Sequence, residues 1–192
     1  DRPLRVAIDA RCLNTEHLRG MGKSLYEFIA PTSTRGAVEW HLFADRPDLP
    51  MQVPVACDVS VFETRGYRFA AWEQYSLPAA ASRLHADVLH APATTAPWWQ
   101  PVPTVITIHD TIPWQATDPA RPSSFYQDRL LPAAYHRATA IITVSECSRR
   151  DLIRTIGVPS ERVFVVENAI PEGLHPVTDE AKLQAVRARY GL

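Results

Sequence analysis

The chain has 192 residues, of which 46% are hydrophobic and 21% are charged, and its net charge is −1 at pH 7. These values are typical of one globular domain, and the nearly neutral charge gives no reason to expect a nucleic acid partner. The three cysteines include no C-x-x-C pair, which argues against a disulfide framework or a zinc site. No apolar run reaches the roughly 20 residues that a membrane span requires. We therefore expect a cytoplasmic protein with reduced cysteines.

Apolar, β-branched runs alternate with helix-like stretches along the chain. The strand candidates are Leu4–Asp9, Val38–Phe43, Val59–Phe62, Asp87–His90, Thr104–Ile108, Ala140–Val144 and Arg162–Val166. The helix candidates between them are Lys23–Ala30, Trp72–His85, Ser124–Ala138 and Arg149–Ile156. Several strand candidates are continuously apolar, as in a parallel sheet that is covered on both faces. The alternation predicts a Rossmann-like, doubly wound α/β domain with a mainly parallel sheet.

Local signals predict where helices begin, bend and end. Ser148 precedes Asp151 by three residues and predicts a helix start, while Pro132 predicts a kink inside its helix. A further polar helix over Asp179–Tyr190 ends at Gly191, the position of a C-cap glycine. Because the chain stops just after this helix, we expect residues 1–192 to form one domain and a second domain to follow it.

Small or polar residues follow several strand candidates. These groups are Gly20-Met21-Gly22, Ala91-Pro92, His109-Asp110 and Ser145-Glu146. In an open α/β sheet, the carboxyl ends of parallel strands share one edge, and ligands bind in the crevice outside it. We therefore expect the groups to meet at one ligand-binding edge, with Gly22, His109 and Ser145 facing solvent.

The glycines and the histidine also have structural interpretations. Gly20 and Gly22 lie in the predicted loop after the first strand, where they either permit a tight turn or bring bare N–H groups close to a phosphate. His109 either contacts a ligand or bonds a neighbouring carbonyl group. The position of His109 beside an acid at the end of a strand favours the ligand contact.

The remaining polar and aromatic candidates have alternative interpretations as well. Ser145 and Glu146 either contact a ligand or simply begin a helix, since a carboxylate is favourable near a helix N-terminus. The adjacent Trp98 and Trp99 suit a sugar or lipid surface, but packing against the domain is the favoured interpretation. No D-x-D sequence and no convincing His/Asp/Glu ligand cluster occurs, so we expect no metal site.

Several segments, in this order, resemble those of the retaining glycosyltransferases of family 4, which have the GT-B architecture. The matching segments are Val6–Asp9 with Gly20–Gly22, Trp72–Gln74 with Leu77-Pro78, Ala86–His90, Val105–Asp110, Ile142–Leu152, Gly157–Pro159 and Arg162–Ala169. They cover nearly the whole chain, and the combination of the His-Asp and Val-Ser-Glu segments is fairly specific. One departure is visible, because the family usually has Asn-Gly where this chain has Asn168-Ala169.

The resemblance implies roles for individual residues. Residues 1–192 would form the N-terminal, acceptor-side domain, and the donor-binding domain with its paired glutamates is missing from this chain. The Gly20-Met21-Gly22 segment would lie near the donor phosphates, and His109 would reach the donor sugar as the catalytic residue. Asn168 would begin the link to the second domain. Asp110, Ser145 and Glu146 are the further substrate-binding candidates.

The resemblance also implies an activity. The full-length enzyme would move a sugar from a nucleotide diphosphate donor to a glycan or lipid-linked acceptor with retention of configuration. The nucleotide sugar is then a substrate, no metal or other cofactor is expected, and a lipid-linked acceptor implies peripheral contact with the inner face of a membrane. The isolated fragment should fold but transfer nothing. Two alternatives stay open: a nucleotide-sugar epimerase of the same architecture, and a stand-alone, non-catalytic binding module.

Overall fold

The computed structural model describes residues 2–31, 36–53, 57–62, 68–115, 124–168 and 174–192. Its strands form one sheet in the order β3-β2-β1-β4-β5-β6-β7, and each neighbouring pair is parallel. The strands are β1 (Leu4–Asp9), β2 (Val38–Ala44), β3 (Asp58–Val61), β4 (Val88–Ala91), β5 (Thr104–Ile108), β6 (Ala140–Thr143) and β7 (Val163–Val165). The Rossmann-like fold is confirmed, and all the predicted strands are found with ends that shift by at most one residue.

Helices connect most of the strands. They are α1 (Gly20–Ile29), α2 (Arg68–Ala71), α3 (Leu77–Arg83), α4 (Ile112–Gln115), α5 (Leu131–Arg137), α6 (Glu146–Ile156) and α7 (Glu180–Tyr190). Two π-helical turns, Trp72–Ser76 and Tyr126–Leu130, lead directly into α3 and α5, and a 3₁₀ turn spans Ser160–Arg162. The predicted helices are confirmed, whereas the short helices α2 and α4 were not predicted.

Each π-helical turn directly precedes a helix whose second residue is proline. Pro78 follows the turn at Trp72–Ser76, and Pro132 follows the turn at Tyr126–Leu130. Proline lacks the N–H that a regular helix needs, and its ring clashes with the carbonyl group one turn earlier. Widening the preceding turn relieves that clash, so the disturbance predicted at Pro132 takes the form of a π turn.

Local capping determines where α6 begins and ends. Ser145 is its N-cap residue, and the Ser145 hydroxyl accepts a hydrogen bond from the Ser148 backbone N–H at 3.1 Å. The predicted helix start at Ser148 is therefore wrong, because Ser148 already lies inside the first turn. Gly157 ends the helix in the left-handed conformation, with φ of 77°.

The two faces of the sheet have separate apolar cores. On one face, Leu77, Leu131 and Leu152 of α3, α5 and α6 pack among the side chains of the strands. On the other face, Leu25 and Ile29 of α1 pack over β1 and β2. No helix in the described ranges is long and apolar enough to cross a membrane.

The register of the strands brings polar side chains to the α1 face of the sheet. His90 of β4 pairs with Ile8 of β1 and with Val105 of β5. Thr107, two residues after Val105, pairs with Ile142 of β6. Because paired residues of neighbouring strands point to the same face, these side chains lie beside α1.

Candidate functional site

A cavity of about 290 Å³ lies between α1 and the carboxyl-terminal parts of β4 to β7. The residues that line it are Met21, Ser24, Leu25, Glu27, Phe28, His90, Pro92, Thr107, His109, Ile142, Val144, Val166, Glu167 and Asn168. Met21 and His109 are the predicted site residues among them. The cavity occupies the edge of the sheet at which the sequence predicted a ligand site, as expected for this class of fold.

The glycine segment lies in the first turn of α1, not in the preceding loop as predicted. Gly22 is buried, and a Cβ atom on it would lie 2.5 Å from the Cys12 carbonyl oxygen. The absence of a side chain at Gly22 therefore allows α1 to pack against the segment that follows β1. The expectation that Gly22 faces solvent is wrong for this reason.

The other residues of the first turn are accessible. Gly20 and Met21 are exposed, and Met21 lines the cavity. Arg19, the N-cap residue of α1, makes no side-chain capping bond. The first N–H groups of a helix have no partners within the helix, so this turn offers hydrogen-bond donors to an anion.

His109 lies where it was predicted, just beyond β5 and on the rim of the cavity. Its Nε2 atom is 3.0 Å from the Pro92 carbonyl oxygen. Because a carbonyl oxygen only accepts, Nε2 carries the hydrogen. The His109 carbonyl in turn accepts a hydrogen bond from the Ser148 hydroxyl at 3.2 Å. The histidine is half-buried rather than enclosed in the core, and it is fixed from both β4 and α6.

The structure does not bring Asp110, Ser145 and Glu146 into the cavity lining. Asp110 is exposed and accepts a hydrogen bond from the Ile112 N–H at 3.0 Å, at the start of α4. Ser145 caps α6, and the exposed Glu146 lies 3.7 Å from Arg149 in the same helix. Each of these residues has a helix-entry role, and ligand contact stays a prediction for all three.

The two tryptophans lie outside the cavity lining as well. Trp98 and Trp99 are 45% and 42% exposed. The Arg137 guanidinium lies over the Trp98 ring at 4.7 Å from its centroid, and the Trp98 backbone N–H donates to the Gln74 side chain at 2.7 Å. These contacts agree with the interpretation in which Trp98 packs against its own domain.

His90 is a functional candidate that the sequence analysis did not select. It is only 7% exposed, and its Nε2 atom is 2.9 Å from the Thr107 hydroxyl. Burial lowers the pKa of His90 to about 4, although Asp9 acts in the opposite direction. The imidazole is therefore neutral at pH 7. A histidine at the end of an apolar strand was the available signal, but only the register of the sheet shows that it faces a cavity.

A second polar cluster lies at the carboxyl end of β1. The Arg11 guanidinium bonds the Asp9 carboxylate at 2.8 Å and the Glu73 carboxylate at 2.6 Å. Tyr126 donates a hydrogen bond to Glu73, and Gln74 donates to Glu73 at 3.0 Å. Burial lowers the pKa of Arg11, but the charges and hydrogen bonds of both carboxylates outweigh burial, so its pKa is raised overall. This cluster ties β1 to both π-helical turns.

The described residues include no group of three or more His, Cys, Asp or Glu side chains that could hold a metal ion. The predicted absence of a metal cofactor stays a prediction.

Comparison with known proteins gives a family and a fold. Residues 18–173 match the sequence profile of the family described as Glycosyltransferase Family 4. No curated protein sequence matches the chain significantly. Among solved structures, the chain is similar to Anabaena Alr3699/HepE in complex with UDP, with a TM-score of 0.60 and 16% identity over 98% of this chain and 50% of that one.

Two further structures show the same likeness. For Anabaena Alr3699/HepE in complex with UDP-glucose, the TM-score is 0.60 and the identity 18%, over 97% of this chain and 49% of that one. For a glycosyltransferase from Rickettsia africae ESF-5, the TM-score is 0.53 and the identity 10%, over 100% of this chain and 50% of that one. The chain thus shares the fold of these structures and spans about half of their length.

Proposed function

This chain belongs to glycosyltransferase family 4, and from that membership we propose that it forms the acceptor-side domain of an enzyme that transfers a sugar from a nucleotide diphosphate donor. The observation that carries the proposal is the position of His109 within the matched segment, on the rim of a cavity at the carboxyl edge of the sheet. Ligands of α/β sheets bind at this edge. The similar Alr3699/HepE structure with UDP-glucose supports a nucleotide sugar as the ligand class.

His109 is the proposed catalytic residue, in contact with the donor sugar. Because its Nε2–H donates to the Pro92 carbonyl, the ring is held in one orientation. In the neutral ring, Nδ1 is then an acceptor for a sugar hydroxyl. Because the ring is already held in place, it can orient the sugar for transfer, and no group has to reorganise during the reaction.

The leaving diphosphate would be stabilised by the first turn of α1. No side chain caps the first turn of α1, at Gly20, Met21 and Gly22, and a helix N-terminus favours an anion. Asp110 and the Ser145-Glu146 pair are the proposed substrate contacts farther along that edge. We propose that transfer proceeds with retention of configuration and needs no metal cofactor.

The rest of the proposed enzyme is a donor-binding domain in a longer protein. The chain spans about half of the similar structures, which supports this arrangement. The link would begin at Asn168, whose Oδ1 accepts a hydrogen bond from Ser24 of α1 at 2.8 Å; Ala169 lies outside the described residues. The proposed acceptor is a glycan or a lipid-linked sugar, and a lipid-linked acceptor would bring a cytoplasmic protein to the inner face of a membrane.

Product analysis tests the function directly. The protein expressed from its intact reading frame is incubated with a panel of nucleotide sugars, with and without glycan and lipid-linked acceptors, and the products are identified by NMR. We expect an acceptor-dependent glycoside whose anomeric configuration is that of the donor. A new nucleotide sugar formed from donor alone would establish the epimerase instead. Sugar binding without any product, from a reading frame that ends near Leu192, would establish the binding module.

A further inference from the structure

We propose that Tyr135 is a positioning residue for the transfer reaction, and that it acts through a strained turn that holds the ring of His109. The turn consists of residues 92–95 and directly follows β4. This proposal rests on the proposed function, because it adds a residue to the machinery in which His109 is the catalytic group.

The turn after β4 supplies the hydrogen-bond partner of the His109 ring. The Pro92 carbonyl oxygen is 3.0 Å from the Nε2 atom of His109. The carbonyl belongs to a planar peptide unit, so its direction follows the backbone conformation of the turn. A rearrangement of the turn would therefore move this oxygen and release the ring from its orientation.

Thr94 holds the turn in a conformation that threonine rarely adopts. Its φ is 68°, in the left-handed region, which is unusual for a β-branched residue. The Thr95 N–H donates to the Ala93 carbonyl at 2.8 Å, so Thr94 is the central residue of a three-residue turn. Such strain persists only where the surrounding structure enforces it. The neighbours of Thr94 therefore determine whether the turn keeps its shape.

Two hydrogen bonds from neighbouring elements hold the strained residue. The Thr94 N–H donates to the Thr107 carbonyl of β5 at 3.0 Å. The Tyr135 hydroxyl of α5 donates to the Thr94 carbonyl at 2.7 Å. Burial raises the pKa of Tyr135, and the charge of Glu73 acts in the same direction, so the hydroxyl keeps the hydrogen that it donates. The first bond joins main-chain groups, whereas the second depends on one side chain and is removed by a single substitution.

The position of Tyr135 argues against direct contact with a ligand. It is 1% exposed, it packs in the apolar core on the face of the sheet opposite α1, and it is not part of the cavity lining. Its ring contacts Trp114 of α4 edge to face, with 5.8 Å between the ring centroids. Because α4 begins shortly after His109, Tyr135 contacts both the turn that bonds the histidine and the helix that follows it. The influence of Tyr135 on transfer therefore passes through His109.

NMR of the His109 side chain tests the proposal without any need for turnover. The intact protein is prepared with isotope-labelled histidine, and the His109 signal is identified by its loss in His109→Ala. At about pH 8, where an ordinary histidine is neutral, the Nε2–H group should be protected from exchange with water by its bond to Pro92. In Tyr135→Phe this hydrogen should exchange about tenfold faster, because the turn opens more often.

A glycine at position 94 provides the rescue. Glycine adopts a left-handed φ without strain, so Tyr135→Phe combined with Thr94→Gly should return the exchange rate to within about twofold of the wild type. Thr94→Gly alone should exchange no faster than the wild type, which keeps the test informative even where Tyr135→Phe does not fold. Thr104→Val is the matched control, since it removes a buried hydroxyl that donates to the Val102 carbonyl at 2.9 Å, at the opposite edge of the sheet. This control should lower the melting temperature but leave the His109 signal unchanged.

Steady-state kinetics of the intact protein give a second readout. Tyr135→Phe should lower kcat about tenfold with little change in KM, because a misplaced ring orients the sugar poorly in the transition state. The double variant with Thr94→Gly should recover most of this loss. A purely structural role of Tyr135 would lower the melting temperature without changing either the exchange rate at His109 or kcat.

Three results overturn the proposal: a folded Tyr135→Phe protein with the wild-type exchange rate at His109, a double variant that exchanges as fast as Tyr135→Phe, or Thr94→Gly alone exchanging faster than the wild type. Failure of the proposed function gives a different result. The expected exchange rates in a protein that transfers no sugar contradict only the proposed function, since the turn then still positions His109. Transfer that depends on His109 but not on Tyr135 contradicts only the positioning role.

Discussion

Two polar regions lie at the same edge of the sheet, and they are built in opposite ways. Between β1 and β4, Arg11 is bonded to Asp9 and Glu73, so the crevice holds paired charges. Beside α1, the cavity is lined by the uncharged His90 and by His109, with apolar walls and the carboxylates of Glu27 and Glu167. Paired, buried charges hold each other in place and leave little capacity for a ligand. A neutral polar group beside an open cavity can still form hydrogen bonds with a ligand.

The position of the cavity departs from the general behaviour of this fold class. Open α/β sheets bind ligands where the strand order reverses, which here is between β1 and β4. The Arg11 cluster lies at the carboxyl end of β1 and joins both π-helical turns to that strand. The open volume lies instead towards β5, β6 and β7, at the segment that includes His109. The first region should therefore control stability, and the second should control function.

The largest effect is expected from breaking the charged cluster. Glu73→Ala should lower the free energy of unfolding by about 3–5 kcal/mol, because it removes one partner of a buried, charged arginine. Urea denaturation measures this loss. Glu39→Ala is the matched control, since Glu39 pairs with Arg5 at 2.9 Å on the surface. This variant should lower the free energy of unfolding far less than Glu73→Ala does. Equal losses for the two variants would show that the cluster is not a structural centre.

The cavity should give the opposite result. In the intact protein, the proposed role of His109 predicts that His109→Ala lowers kcat by about 10²–10³, or roughly 3–4 kcal/mol, with a small change in melting temperature, because the half-buried ring supports little of the core. Steady-state kinetics and thermal melting measure the two effects. His85→Asn is the control, since His85 is exposed on a turn with φ of 53°, a conformation that asparagine tolerates. A near-normal kcat with a clearly lower melting temperature would assign His109 to the fold.

The stability of the protein should also depend on pH through His90. Its pKa is about 4 in the folded protein and about 6.5 in the unfolded chain, so the unfolded state binds an extra proton between these values. The neutral His90 ring therefore makes its full contribution to the free energy of unfolding above pH 6.5. As the pH falls to 4, the free energy of unfolding decreases by about 3 kcal/mol through this group. Urea denaturation at pH 7 and pH 4.5 should show that the free energy of unfolding falls more between these pH values in the wild type than in His90→Asn. Asp9 and His109, which also act on this pKa, are the same in both proteins.

The smallest effect concerns the start of α1, where the two glycines differ. Gly22→Ala should lower the free energy of unfolding by about 1–3 kcal/mol, because the new Cβ would lie 2.5 Å from the Cys12 carbonyl oxygen. Gly20→Ala meets nothing within 4 Å and should be neutral or stabilising by up to about 1 kcal/mol. Thermal melting of the two variants provides the measurement. Equal melting temperatures would mean that α1 does not depend on its close approach to the segment after β1.

Sequence patterns were enough to predict the strands, the main helices and the edge at which the candidate site lies. Hydrophobic runs and helix periodicity are local signals, so the strands from β1 to β7 and the main helices could be predicted. The position of His109 followed in turn, since a residue that ends a parallel strand lies at the carboxyl edge in any such sheet. The predicted start of α6 failed by three residues because Ser145 and Ser148 both suit an N-cap, and the choice between them depends on packing.

Which residues meet at that edge depends on long-range contacts that no local sequence pattern reveals. Arg11 and Glu73 are 62 positions apart, and nothing in the local sequence marks them as partners. The same holds for His90 and Thr107, which become neighbours through the pairing of β4 with β5. The burial of Gly22 likewise depends on a contact with Cys12. Periodicity specifies which face of an element is apolar, but the register and the packing of distant elements determine whether a polar residue meets a counter-charge, a carbonyl group or an open cavity.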